Sequence, residues 1–184
     1  MLTKIDFREH KEIRKDVEPL YLGAFPENER PPVHYFFYSV KKHKENHLYA
    51  YYDFNQFVGF TYLTTYKDIV YIFFLAVSES IRNKGYGSQI LNDIKEKYKD
   101  NVLLLCYEEV DEKYEDNELR KKRQSFYFSN GFQDNILKTN EFGVVFNTAY
   151  IGKHKVPFED YLEIFKLGFG KKSKLYIKEE KKGI

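Results

Sequence analysis

One stretch restricts the possible folds more than any other. Ile69 to Val77 is apolar almost throughout and runs directly into Ser78-Glu79-Ser80-Ile81-Arg82-Asn83-Lys84-Gly85-Tyr86-Gly87-Ser88. An apolar strand without alternation is covered on both faces, so this segment predicts a central strand rather than an edge. From Gln89 to Tyr98, Ile90, Leu91, Ile94 and Tyr98 recur at helical spacing, and Val102 to Tyr107 returns as another buried strand. A strand, loop, helix, strand unit thus stands at the centre of the chain, and the fold class it predicts is α/β.

The loop inside that unit carries chemistry. Gly85 and Gly87 let the backbone curl without Cβ clashes, so that successive N–H groups at a helix N-terminus can point at one anion. A pyrophosphate meets that need, with Arg82 and Lys84 adding charge at the rim and the Ser88 hydroxyl a further hydrogen bond. The plain alternative is a tight strand-to-helix turn that needs glycine for geometry alone. Two other phosphate motifs are excluded by residues. Gly85 is followed by Tyr86-Gly87-Ser88, so the Gly-Lys-Ser/Thr ending of a Walker A loop is missing, and Ile90 stands where a dinucleotide fingerprint needs its third glycine.

On the N-terminal side, Phe7, Ile13, Val17, Leu20 and Tyr21 mark an amphipathic helix over Asp6 to Leu22. Phe25-Pro26-Glu27-Asn28-Glu29-Arg30-Pro31-Pro32 breaks it, and Pro32 opens a second helix towards Lys42. The polar loop between them is a candidate substrate lip. His47 to Tyr52 and Phe57 to Thr65 read as an antiparallel hairpin. Asn117 to Ser129 is again helical, with a basic face of Arg120, Lys121, Lys122 and Arg123, and it stops at Asn130-Gly131. Phe132 to Leu137 and Phe142 to Tyr150 close the sheet, and Phe158 to Leu167 forms a short amphipathic helix. No repeat or linker divides the chain, so residues 1–150 are expected to form one domain and 151–184 an extension packed on it or extending it. The basic end, with Lys171, Lys172, Lys174, Lys181 and Lys182, is assigned no role.

Arg82-Asn83-Lys84-Gly85-Tyr86-Gly87 resembles the Gln/Arg-x-x-Gly-x-Gly/Ala signature of the GNAT acetyltransferases. Phe126-Tyr127-Phe128-Ser129-Asn130-Gly131-Phe132 resembles the Tyr-x-x-x-Gly-Phe segment that ends the second conserved helix of that family. The likeness covers about Ile5 to Tyr150 in element order. It implies a mixed sheet of about seven strands flanked by about four helices and splayed open beside the glycine loop, with acetyl-coenzyme A in the cleft. By this likeness the backbone near Leu75 and Val77 meets the pantetheine arm, and the amides from Asn83 through Lys84, Gly85, Tyr86 and Gly87 to Ser88 hold the pyrophosphate. Tyr127 then sits near the thioester sulfur, where a phenol suits protonation of a departing thiolate. The sequence departs from the family at Leu119, where an asparagine is frequent; Asn117 is two residues away.

The implied activity is N-acetyl transfer to a primary amine by direct attack in a ternary complex, which needs no enzyme nucleophile. A base is still required. Glu108 is the preferred candidate from its strand-end position, with Glu109 beside it, and Glu27 and Glu29 on the early loop are read as facing the acceptor. These carboxylates favour a cationic amine on a small molecule or a protein.

Other observations limit the alternatives. Lys plus Arg number 30 against 28 Asp plus Glu, so overall charge calls for neither nucleic acid nor membrane. A nucleic-acid module, suggested by basic residues interleaved with aromatics over Lys41 to Tyr52, remains the rival from another class, and an inactive acyl-coenzyme A sensor a third. The lone Cys106 reads as a buried small hydrophobe, and no His, Cys and Asp spacing suggests a metal. Without a signal-like or membrane-spanning segment at the start, the expected location is the cytoplasm. The tail after Gly152 offers an added groove wall or a subunit contact, as in a homodimer.

Overall fold

The computed structural model describes residues 2–180, apart from the side chain of Asn28; Lys181 and Lys182 lie outside the described residues. Eight strands form one sheet: β1 (Thr3–Asp6), β2 (Asn46–Asp53), β3 (Gln56–Tyr66), β4 (Ile69–Val77), β5 (Val102–Glu108), β6 (Gln133–Glu141), β7 (Val144–Ile151) and β8 (Ile177–Glu179). Their order is β1-β2-β3-β4-β5-β7-β6-β8, antiparallel everywhere except between β4 and β5. Among the described residues five α-helices accompany them: α1 (Arg14–Ala24), α2 (Val33–Lys42), α3 (Tyr86–Lys97), α4 (Asn117–Ser129) and α5 (Phe158–Phe169).

The parity of the strands distributes the core. Val70, Ile72, Leu103 and Leu105 face Ile90, Leu91 and Ile94 of α3, with Phe126 and Tyr127 of α4 packed alongside. On the opposite face Leu48, Ala50, Phe60, Tyr62 and Phe74 meet α1 and α2, while Tyr71 and Leu104 meet Tyr161, Ile164 and Phe165 of α5. Each of Ile90, Leu91 and Ile94, at most 1% exposed, contributes about 1.5–3 kcal/mol by leaving water.

Departures from the expected pattern gather at the chain ends. Thr3–Asp6 is an edge strand, and the Asp6 carboxylate accepts the Arg8 N–H while its carbonyl accepts those of Glu9 and His10, so α1 starts only at Arg14. At the other end β8 pairs with β6 and α5 packs on the sheet, so the sheet has eight strands instead of about seven and five helices instead of about four.

The feature that positions a site is the divergence of β4 from β5. They pair only from Ile69 and Val102 to Ile72 and Leu105. At that point the β3–β4 register slips: Tyr62 faces Phe74 but Leu63 faces Ile72, leaving Phe73 as a bulged extra residue. A bulge bends its strand and increases the local twist. Beyond it β4 follows β3 to Val77, β5 follows β7 to Glu108, and a gap opens between them.

Candidate active site

The gap is a cleft of about 1470 Å³, lined by β4, β5, the glycine loop, α4, the α1–α2 loop and the C-terminal segment. On its β4 side the backbone is free. Ser78 N–H bonds to the Val58 carbonyl, so by strand alternation residues 74 and 76 face β3, while Leu75 and Val77 turn their main-chain groups towards the gap. The Val77 carbonyl accepts Arg82 Nε at 3.3 Å, consistent with that direction.

Beyond Val77 the loop curls through two left-handed residues, Asn83 at φ 64° and Gly85 at φ 80°. Gly85 then leads into α3, whose first intrahelical bond is Gln89 N–H to the Gly85 carbonyl. No side chain among the described residues caps this helix and no acidic residue lies in its first turn, so the amides of Tyr86, Gly87 and Ser88 remain available at its positive end. Tyr86 anchors the turn from outside by donating to Asp53 at 2.7 Å. A Cβ on Gly87 would lie 2.9 Å from Phe126 Cζ, so this position needs glycine to let α3 approach α4. Of the nine residues assigned to coenzyme A from the sequence, eight line the cleft; Lys84 is exposed and is not part of the lining.

Tyr127 lies across the gap, its backbone fixed by the C-terminal stop of α4. Gly131, at φ 91°, lets the Phe132 N–H return to the Tyr127 carbonyl at 3.2 Å. The hydroxyl has no protein partner among the described residues and is not sealed in the core, so it opens to the cleft. Burial, with the Cys106 thiol and the Glu108 carboxylate alongside, raises its pKa well above 10. Leu119 lines the cleft, whereas Asn117 is 8% exposed with an unpartnered Oδ1 and does not. The basic face of α4 divides. Arg120 pairs with Asp116 and stacks 3.8 Å from the centre of the Tyr114 ring, Lys121 pairs with Glu118, and Lys122 and Arg123 reach the cleft.

Glu27, Glu29 and Glu108 all line the cleft. Glu108 forms an ion pair with Arg123. The carboxyl of Glu29 is raised by burial and then by the charge of Glu108, with Arg123 and Arg120 opposing. Glu109 points elsewhere. Burial would raise it, but Lys113, Lys138 and Tyr114 hold it at about 2.

Cys106 corrects the sequence reading: it is half-buried, lines the cleft where β4 and β5 part, and carries a thiol pushed well above its ordinary range by burial and by Glu141. Sequence reasoning missed Glu141, a 7%-exposed carboxylate in the same wall, because a glutamate before the Phe142-Gly143 turn reads as solvated. The residue that encloses it, Tyr161, is 20 positions away in the tail. The aromatics proposed for nucleic acid are structural: Tyr49 and Tyr51 are 4% and 1% exposed and belong to the core.

No curated protein matches the sequence. Among solved structures, the fold is similar to a GNAT-family assignment from Bacteroides thetaiotaomicron (TM-score 0.71, 19% identity, 92% of this chain and 98% of that one). It is also similar to an aminoglycoside 6′-N-acetyltransferase complexed with coenzyme A (0.64, 17%, 85% and 98%). A third is the ribosomal-protein-S18-alanine N-acetyltransferase of Escherichia coli (0.62, 14%, 85% and 97%). The family model for the acetyltransferase (GNAT) domain matches residues 43–134, half of the 184-residue chain. That segment starts before β2 and ends inside β6, so it spans the parting strands and both motifs, and the chain belongs to the GNAT acetyltransferase family.

Proposed function

We propose that this protein is an N-acetyltransferase that moves the acetyl group of acetyl-coenzyme A to a primary amine by direct attack with both substrates bound. The observation that carries the reading is the unpaired β4 edge running into an uncapped helix N-terminus on one wall of a single cleft. A strand edge suits the amides of a pantetheine arm, and the α3 amides with Arg82, Lys122 and Arg123 nearby suit phosphate. In this reading Leu75 and Val77 hold the arm through their main chain, and Asn83 to Ser88 hold the pyrophosphate. Lys84 contributes only long-range charge.

Tyr127 is the acid. Its raised pKa keeps the phenol protonated at neutral pH, and its open hydroxyl is available to a leaving sulfur. Glu27 and Glu29 supply carboxylates to the acceptor side of the cleft, which favours a cationic amine, while Glu108 beside them is paired with Arg123. The similar structures named for aminoglycoside and for protein alanine acetylation bracket the acceptor, a small molecule or a polypeptide.

Calorimetric titration with acetyl-coenzyme A tests the proposal, with Gly87→Glu as control. The expected result is binding by the wild type and a loss of at least tenfold in the variant, whose thermal melt checks that the displaced Phe126 ring has not unfolded it. Equal affinity in a folded Gly87→Glu protein would remove the loop from the site.

A further inference from the structure

One carboxylate in the cleft has no part in the grip on coenzyme A or in the acidic acceptor loop. Glu141 ends β6, fixed in register on both sides, opposite Val144 of β7 and Ile177 of β8. Two hydroxyls donate to its Oε1, Tyr161 from α5 and Thr139 at 2.8 Å. Tyr161 in turn accepts a hydrogen bond of 3.0 Å from the hydroxyl of Tyr71, the β4 residue two before the bulge. Oε2 has no protein partner among the described residues and is not sealed in the core, so it opens to the cleft. No ion pair among the described residues includes Glu141.

A buried carboxylate without a cation is costly, and hydroxyl donors on one oxygen compensate it only in part. A cation placed on the cleft side would complete that compensation. The surrounding wall indicates what carries that cation, because Tyr35, Phe142, Phe146, Phe165 and Tyr176 line the same cavity and favour a flat apolar body bearing positive charge.

We infer that Glu141 receives the ammonium of the acceptor and takes its first proton, and that the acceptor is a primary amine on an aromatic or apolar body. The inference rests on the acetyl-transfer reading. In the balanced sequence the ammonium gives one proton to Glu141, and the neutral nitrogen forms the C–N bond to the acetyl carbon as the C–S bond breaks. Tyr127 protonates the sulfur and is restored by the second proton shed from nitrogen, while Glu141 returns its proton to solvent through the cleft mouth. Glu108 is less suited because Arg123 occupies it. Tyr161 is a positioning residue, which makes the tail part of the site.

Burial raises the Glu141 carboxyl from 4.5 to about 7, with Tyr161 and Thr139 pulling it down and Glu29 pushing it up. The other titratable or charged groups that line this cavity include Arg30 of the α1–α2 loop, His34 and Tyr35 of α2, Tyr71 of β4, Cys106 and Glu108 of β5, Arg123 and Tyr127 of α4, and Lys172 and Tyr176 of the tail. The rate should therefore rise with pH through about 7 as Glu141 ionises.

The test is release of free coenzyme A from acetyl-coenzyme A with phenethylamine as probe, followed from about pH 5.5 to about 9 alongside calorimetry with acetyl-coenzyme A alone. The expected result is that Glu141→Gln keeps its acetyl-coenzyme A affinity, loses about 100-fold or more in kcat/KM and loses the acid limb. Glu141→Asp should retain the limb at a reduced rate, and Tyr161→Phe should move it to higher pH by removing a hydrogen bond that favours the carboxylate. Full activity in Glu141→Gln, an unmoved limb in Tyr161→Phe, or a wild type that binds acetyl-coenzyme A without using phenethylamine would each overturn the inference. A wild type that does not bind acetyl-coenzyme A would overturn the acetyl-transfer reading itself.

Discussion

Replacing Glu141 by glutamine isolates the stability cost of ionising a carboxylate in the cleft wall, without any acceptor. The group is 7% exposed, and burial raises its pKa from 4.5 to about 7. A folded-state pKa above the unfolded one means that the folded protein binds the proton more tightly. Its contribution is therefore fully present below pH 4.5 and is lost as pH rises through about 7. At 1.36 kcal/mol for each pH unit between the two values, the loss is about 3 kcal/mol at most. The glutamine side chain cannot ionise, so the Glu141→Gln variant should gain about that much on the wild type between pH 4.5 and about pH 8.5, or roughly 6–12 °C in melting temperature for a chain of this size. Urea denaturation of both proteins at several pH values measures the difference. Glu109 and Glu163, each held at about 2, lose stability at the acid end, but equally in both proteins, so they cancel. A difference that stays constant across the window would refute the assigned burial of Glu141.

Other outcomes follow from the same geometry. Tyr127→Phe should bind acetyl-coenzyme A with unchanged affinity while kcat falls by about 100-fold, read by calorimetry and steady-state kinetics. Gly59→Ala should destabilise the fold by about 3 kcal/mol or prevent folding, because its Cβ would lie 2.1 Å from the Ala76 carbonyl oxygen across β3 and β4; a melt within a degree of wild type would contradict that close approach. Gly85→Ala, in open space but at φ 80°, should cost only about 1–2 kcal/mol by denaturant titration.

Local pattern carried much of this molecule and long-range pairing carried the rest. The Ile69 to Val77 strand, the α4 boundaries at Asn117 and Ser129 and the glycine loop were readable because each depends on spacing within a few residues. β1 was not, since four residues show no periodicity and an edge strand is defined by its partner. The cleft was expected only by likeness: its physical origin is the bulge at Phe73, which exists only through the registers of β3, β4 and β5 together. Cys106 and Glu141 were misread or missed for the same reason. One lies in an apolar run yet faces a gap; the other sits at a turn yet is enclosed by Tyr161 from α5.

The proton roles proposed for Tyr127 and Glu141 trace to one cause. Burial is the largest influence on both Tyr127 and Glu141, and in both it disfavours the charged form. For a phenol the neutral form is the donor, and raising an already high pKa keeps it loaded at neutral pH. For a carboxyl the charged form is the acceptor, and raising a low pKa brings it to about 7, where it can take a proton and release it. Opening the cleft to water should therefore degrade both functions together. Removing Tyr161 alone should alter only the carboxyl, since its hydroxyl donates to Glu141 and not to Tyr127.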